Sequence, residues 1–287
     1  MEKIHVKLHD FLDIGDDFPT IIIGVLNLSP ESFYKGSVYD DLMSLEKTAL
    51  KMVNSGAKIL DLGARSTAPW SKKITIKEEL DRIIPSMELS CKIVPNDVVI
   101  SVDTQYREVA QQTYDIALKH KKRIIVNDVS CLKTDPGLLD FIVEHDIPII
   151  LMISKSVPGD LLTIEEIIEE SKKTIELLSS KGYDNKKIIL DPGIGHWVEE
   201  KTPECDMKII GNLEKLRSLK QPILVAISRK SFIGAALNIP EPENRLNGTL
   251  SATAIAVYNG AHIIRTHDVN KQLLEIIRMA EAIRKSA

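Results

Sequence analysis

Asn27, Asp61, Asp103, Asn127, Asp191, Lys230, Arg265 and His267 share one feature: each closes, or soon follows, a short apolar β-branched run. One aspartate in such a place is more often a cap or loop acceptor than a catalyst. Pro192-Gly193 behind Asp191 already makes a tight turn, and His267-Asp268 could be a capping pair. Seven run ends out of eight carrying Asn, Asp, Lys, Arg or His are harder to assign to capping alone. If the runs lie side by side, these groups ring one concave site. Carboxylates and amides there suit a flat heterocycle with adjacent N–H donors and a carbonyl acceptor. Lys230, Arg265 and His267 suit a phosphate, which calls for charge-assisted donors. Asn27 could meet a phosphate oxygen or a Mg²⁺ bound to it.

Eight runs must position these groups: 21–27, 58–62, 98–103, 123–128, 148–153, 187–191, 222–227 and 261–265. Helical periodicity fills the stretches 39–54, 76–92, 105–119, 135–145, 163–181, 206–219, 245–259 and 268–285. Continuous rather than alternating apolar strands mean both faces are buried, as in a parallel sheet. Strict strand–helix alternation builds βαβ units, and a count of eight favours a closed (β/α)₈ TIM barrel. A dinucleotide-binding sheet would want Gly-x-Gly-x-x-Gly after the first run, where Gly24 stands alone. The chain of 287 residues therefore reads as one α/β domain, 19–287, with residues 1–18 as a short extension that caps the barrel bottom.

A net charge of −4 gives no electrostatic case for nucleic acid or an anionic membrane. The lysines are scattered and read as a solvated outer face, and His5, His9, His120, His145 and His262 read as solvated faces or turns. Cys91, Cys131 and Cys205 lack metal-site spacing and suit a reducing compartment. With no apolar leader and no long apolar segment, the expected location is the cytoplasm.

The motifs GVLNLSPESF (24–33), DLGARSTAP (61–69), SVDT (101–104), VNDVS (126–130), LDPGIG (190–195), SRKSFIG (228–234) and RTHDV (265–269) occur in this order. Together they resemble the dihydropteroate synthase family over roughly residues 20–284. The resemblance implies a transferase that joins dihydropterin pyrophosphate to p-aminobenzoate, with Mg²⁺, in folate biosynthesis, commonly as a homodimer. It implies that Asp103, Asn127 and Asp191 hydrogen-bond the pterin and that Lys230 reaches its ring; Lys230, Asp103 and Asp191 are the expected catalytic residues. Asn27, as metal ligand, with Arg265 and His267, would form the pyrophosphate side. Thr67, Ser231 and Met152 would border p-aminobenzoate or the loop over it. Two rivals stay open: a pterin-dependent methyltransferase acting with a corrinoid partner, and a non-catalytic pterin-binding barrel.

The chain departs from the family in three places. The Ser-Thr-Arg-Pro-Gly loop reads Ser66-Thr67-Ala68-Pro69-Trp70, although Arg65 stands three positions before Ala68. Met152-Ile153-Ser154-Lys155 lacks the usual histidine, and the Phe-Gly-Lys stretch becomes His196-Trp197-Val198 followed by a charged insert. All three fall on the second-substrate side. A substituted arylamine, or p-aminobenzoate handled with reduced sulfonamide sensitivity, is expected.

Overall fold

A computed structural model describes residues 3–29, 41–68 and 71–286. Eight parallel strands form a barrel: β3 (Ile21–Asn27), β4 (Ile59–Gly63), β5 (Val99–Asp103), β6 (Ile124–Asp128), β7 (Ile149–Met152), β8 (Ile188–Asp191), β9 (Leu224–Ala226) and β10 (Ile263–Thr266). Their order is β8-β7-β6-β5-β4-β3-β10-β9, and a bridge between Leu190 and Ile223 closes the ring. The fold is the (β/α)₈ barrel.

Each strand is apolar on two faces for two different reasons. Residues such as Ile22, Leu60, Ile100, Val126, Leu151, Leu190 and Ile264 point outward into the core shared with the helices. Ile23, Ile59, Val99, Ile125, Ile150, Ile189, Leu224 and Ile263 point inward and fill the lower barrel. Because side chains alternate, the next inward positions toward the C-terminal ends are Val25, Asp61, Ser101, Asn127, Met152, Asp191, Ala226 and Arg265. The polar residues thus share the inward face of the barrel's upper layers.

The helices are α1 (Leu42–Asn54), α2 (Ile76–Ile93), α3 (Arg107–Lys119), α4 (Pro136–Glu144), α5 (Ile164–Ser180), α6 (Pro203–Gly211), α7 (Ser231–Leu237), α8 (Leu246–Tyr258) and α9 (Lys271–Ser286). Thr75 and Thr163 start α2 and α5 with reciprocal capping boxes to Glu78 and Glu166. Two differences from the sequence reading stand out. The stretch 206–219 is α6 followed by a 3₁₀ segment, Leu213–Leu219, with the break at Gly211-Asn212. The short α7 is additional, so strict alternation of eight and eight does not hold. Among the described residues, no helix is long and apolar enough to cross a membrane.

Before the barrel, β1 (His5–Leu8) and β2 (Leu12–Gly15) form an antiparallel hairpin. Val6, Leu8, Leu12 and Ile14 bury against the inward residues at the N-terminal ends of the strands. Asp16 then binds Arg217 through both oxygens, at 2.5 and 2.9 Å. His262, expected on a solvated face or turn, is buried instead: its Nδ1 accepts the Ile223 N–H at 3.1 Å, and its Nε2 meets Asp16 at 3.3 Å. His9 is likewise not freely solvated, since its Nε2 meets the Ile124 carbonyl at 3.1 Å.

Candidate active site

A cavity of about 370 Å³ opens at the C-terminal ends of the strands, within the range of small-molecule sites. Asn27, Thr67, Asp103, Asn127, Met152, Asp191, Lys230, Ser231, Arg265 and His267 all line it. The barrel register brings together residues up to 240 positions apart in the chain, Asn27 and His267 being the extremes.

Its floor is built around one guanidinium. Arg265 Nε donates to Asp61 Oδ2 at 2.6 Å, and Arg265 Nη2 donates to Asp103 Oδ2 at 2.8 Å. Asn127 Nδ2 adds a third contact, to Asp61 Oδ2 at 3.1 Å. Asp61 is fully buried, and its Oδ1 has no partner among the described residues. Two carboxylates therefore share one cation. Burial and the neighbouring Asp61 push the Asp103 carboxyl well above the usual carboxylate range, against the pull of Arg265. Burial works against the charge of Arg265, but Asp61 and Asp103 outweigh it and raise its pKa. Asp191 is also raised by burial, opposed by Lys230, and its Oδ1 accepts the Gly193 N–H at 2.8 Å. Asp191 does cap its own turn, and lines the cavity as well.

Arg229 adopts a left-handed conformation (φ 58°) just past β9. Its side chain pairs with Asp268 at 2.7 and 2.9 Å, while the next residue, Lys230, faces the cavity. Lys230 Nζ donates to the Ile194 carbonyl at 2.5 Å, and burial lowers its pKa to about 8 despite Asp191 and Asp206. His267 was expected among the cations. Burial, with Arg265 beside it, lowers its pKa to about 3, which favours the neutral imidazole. Ser228 Oγ accepts the His267 backbone N–H at 3.3 Å and meets Nδ1 at 2.9 Å, an arrangement that suits the tautomer with its proton on Nε2.

For a metal, the residues offer little by themselves. Among the described residues no three His, Cys, Asp or Glu side chains come together to hold an ion. Asn27 lines the cavity, and its Oδ1 accepts the Ser29 N–H at 3.0 Å. A lone carboxamide fits Mg²⁺ where substrate phosphates and water complete the shell.

Of the three departures, Ala68, Met152, His196 and Trp197 line the cavity. Pro69 and Trp70 lie outside the described residues, as do Pro30–Phe33 of the first motif. The Trp197 ring lies 5.5 Å from Lys230 Nζ and packs on Gly159, where an added Cβ would fall 2.2 Å from the indole. Within the charged insert, Lys201 is fully buried rather than solvated; Nζ donates to the Gly193 and Leu161 carbonyls at 2.8 and 3.0 Å. Asp206 accepts the Gly195 N–H at 2.8 Å. The 193–195 loop is thus held by Lys201 and Asp206 from one side and by Lys230 from the other. Asp61, Arg65, Trp197 and Lys201 were not among the sequence candidates. Asp61 left a signal as a charge ending an apolar run, Arg65 and Trp197 entered only through the departures from the family pattern, and Lys201 left none.

A sealed apolar lower barrel beneath a polar, cation-bearing cavity defines a barrel enzyme for a small, flat, polar substrate. The chain belongs to the pterin-binding enzyme family, whose model matches residues 23–267. The dihydropteroate synthase of Bacillus subtilis (strain 168) is 34% identical over 92% of this chain and 88% of its own length. A dihydropteroate synthase from Coxiella burnetii, solved with pteroic acid, superposes with a TM-score of 0.82 at 33% identity, covering 99% of this chain and 100% of that one. That of Xanthomonas albilineans, solved with 4-aminobenzoic acid, gives 0.82 at 27% identity, with 99% of both chains covered. The methyltransferase alternative is not favoured.

Proposed function

We propose that this barrel is a dihydropteroate synthase of folate biosynthesis, condensing dihydropterin pyrophosphate with p-aminobenzoate or a related arylamine. The observation that carries the reading is the convergence of Asp103, Asn127, Asp191, Lys230 and Arg265 on one cavity in a chain of this family. Asp103, Asn127 and Asp191 bind the polar edge of the pterin, and Lys230 sits over its ring. The carboxylate-rich floor supports positive charge that develops on the pterin methylene as the C–O bond to pyrophosphate breaks. The arylamine nitrogen then bonds to that carbon and loses its proton. No covalent enzyme intermediate is required.

Pyrophosphate would lie toward Asn27, Arg265 and His267, where the His267 Nε2–H serves as a hydrogen-bond donor. Mg²⁺, held by Asn27 and the phosphates, would supply charge neutralisation of the leaving group. Thr67, Met152 and Ser231 border the arylamine. With Ala68 in place of the loop arginine and with Trp197 at the rim, p-aminobenzoate handling and sulfonamide sensitivity are altered; a normal KM together with normal sulfonamide inhibition would refute that.

A homodimer is supported by α8, which carries no charged side chain. Ile255 and Tyr258 on α8, and Met279 and Ile283 on the adjoining α9, are exposed. Cys91, Cys131 and Cys205 are free thiols, which supports the cytoplasm. The decisive experiment is pyrophosphate release from dihydropterin pyrophosphate and Mg²⁺, with and without p-aminobenzoate, alongside Lys230→Ala. Release that needs p-aminobenzoate and fails in the variant establishes the synthase. Pterin binding without turnover would instead mark a different acceptor or a non-catalytic barrel.

A further inference from the structure

The segment between β4 and α2 begins at the cavity, which Arg65, Ser66, Thr67 and Ala68 line. One side chain ties both ends of this segment. Arg65, at its start, donates from Nη1 to the carbonyl of Ile74, at its end, at 2.6 Å. Its Nε donates to Glu79 Oε2 at 2.6 Å, and its guanidinium lies 4.7 Å from the Tyr106 ring centroid. Glu79 is fully buried in α2, and its other oxygen, Oε1, accepts from Thr104 Oγ1 at 2.7 Å. Thr104 directly follows Asp103. One buried carboxylate therefore joins the rim segment to the strand end that carries the floor.

We infer that Arg65 is a positioning residue: through Glu79 and Ile74 it fixes the described rim residues 66–68 and 71–73 and thereby sets affinity for the arylamine, in a chain where position 68 carries no arginine. This rests on the synthase reading. A buried pair tolerates loss of one partner poorly, because the other charge is left without compensation. Arg65 touches no reacting atom in this scheme. Arg65 also lines the cavity, but its Nε and Nη1 are taken by Glu79 and Ile74 and its Nη2 is buried, so its effect is carried by Thr67 and Ala68 and falls on one substrate and not the other. Lysine at position 65 can keep the pair with Glu79 but cannot also hold Ile74 in the guanidinium's fork.

The test uses the full chain with Arg65→Ala, Arg65→Lys and Glu79→Gln. Initial rates of pyrophosphate release are measured with each substrate varied in turn. Trypsin cleavage after the exposed Lys72 and Lys73 is followed in parallel. Arg65→Ala should raise the p-aminobenzoate KM about tenfold or more, with the pterin KM changed less than about twofold. Glu79→Gln should move in the same direction, Arg65→Lys should recover part of the loss, and cleavage at 72–73 should accelerate. Equal movement of both KM values, or no movement, would overturn the inference. Should Arg65→Ala fail to fold, the Arg65→Lys split decides. Absence of turnover in the wild-type chain would count against the synthase reading instead, and unchanged cleavage in the variants would still refute the anchor.

Discussion

The two ends of this barrel are built from the same eight strands and treat charge in opposite ways. At the N-terminal ends, the inward residues are Ile, Val and Leu, and the hairpin of Val6, Leu8, Leu12 and Ile14 seals them. The charge there, Asp16, is fully answered by Arg217, by the Ile4 N–H and by His262. Two residues further along their strands the inward face holds Asp61, Asn127, Asp191 and Arg265, and four residues along β5 it holds Asp103. There one guanidinium serves two carboxylates, Asp61 Oδ1 is left without a partner among the described residues, and Lys230 is bound to a carbonyl rather than to a carboxylate. The bottom is arranged for stability. The top keeps polar capacity unspent, which is what a ligand needs and a folded core avoids.

The largest expected effects break the top. Asp61→Ala removes the acceptor that holds Arg265 and Asn127, leaving a buried guanidinium with one partner fewer. Destabilisation of about 3–5 kcal/mol is expected, as for one side of a buried ion pair, and urea unfolding measures it. A loss below that of an exposed pair would mean the floor is far more solvated than its burial indicates. Next, Lys230→Ala should lower kcat/KM by about 10²–10³, or about 3–4 kcal/mol, while thermal stability stays near wild type. Retained turnover would remove Lys230 from the catalytic set.

The same contrast explains what could be read in the sequence. Asp103, Asn127 and Asp191 were legible because a polar residue at the end of a doubly buried strand breaks the apolar pattern. Lys230 and Arg265 were legible through their motifs. Asp61 broke the pattern too, but its role depends on Arg265, 204 positions away, and no local feature announces that pair. Lys201 sits in a run of charges that reads as solvated surface; only the folded 193–195 loop shows that its ammonium is buried. The α7 helix, Ser231–Leu237, is too short for periodicity to declare itself. His262 looked like any surface histidine because its partners, Asp16 and the Ile223 amide, come from the hairpin and from the residue preceding β9.

A smaller effect sharpens the comparison at the bottom. Burial alone would raise the Asp16 carboxyl, but hydrogen bonds from His262 and Arg217 outweigh it and hold it well below the usual carboxylate range. A depressed carboxylate contributes stability above its unfolded pKa, and that contribution fades as pH falls below it. Asp16→Ala should therefore cost about 1–3 kcal/mol at neutral pH, and less at pH 3. A penalty independent of pH would show that the hairpin is held by its apolar contacts alone.

At the top the sign reverses, and Asp103→Asn tests it. The Asp103 carboxyl is raised on folding, so the folded chain holds a proton there that the unfolded chain has already released above about pH 4. Stability from this site then falls as pH rises from that point toward the folded pKa. Asparagine carries no such penalty and still offers Arg265 an oxygen. Against wild type, the variant should gain stability steadily from pH 4 to pH 8, by about 1 kcal/mol or more, since one unit of pKa shift is worth about 1.4 kcal/mol. Pterin binding should weaken over the same range, because a carboxylate acceptor has been lost. Unfolding curves of the two proteins at pH 4, 6 and 8 measure the trend. A constant difference would mean that Arg265 keeps Asp103 fully ionised, so that the two carboxylates do not compete for one cation and the top of the barrel is as well neutralised as the bottom.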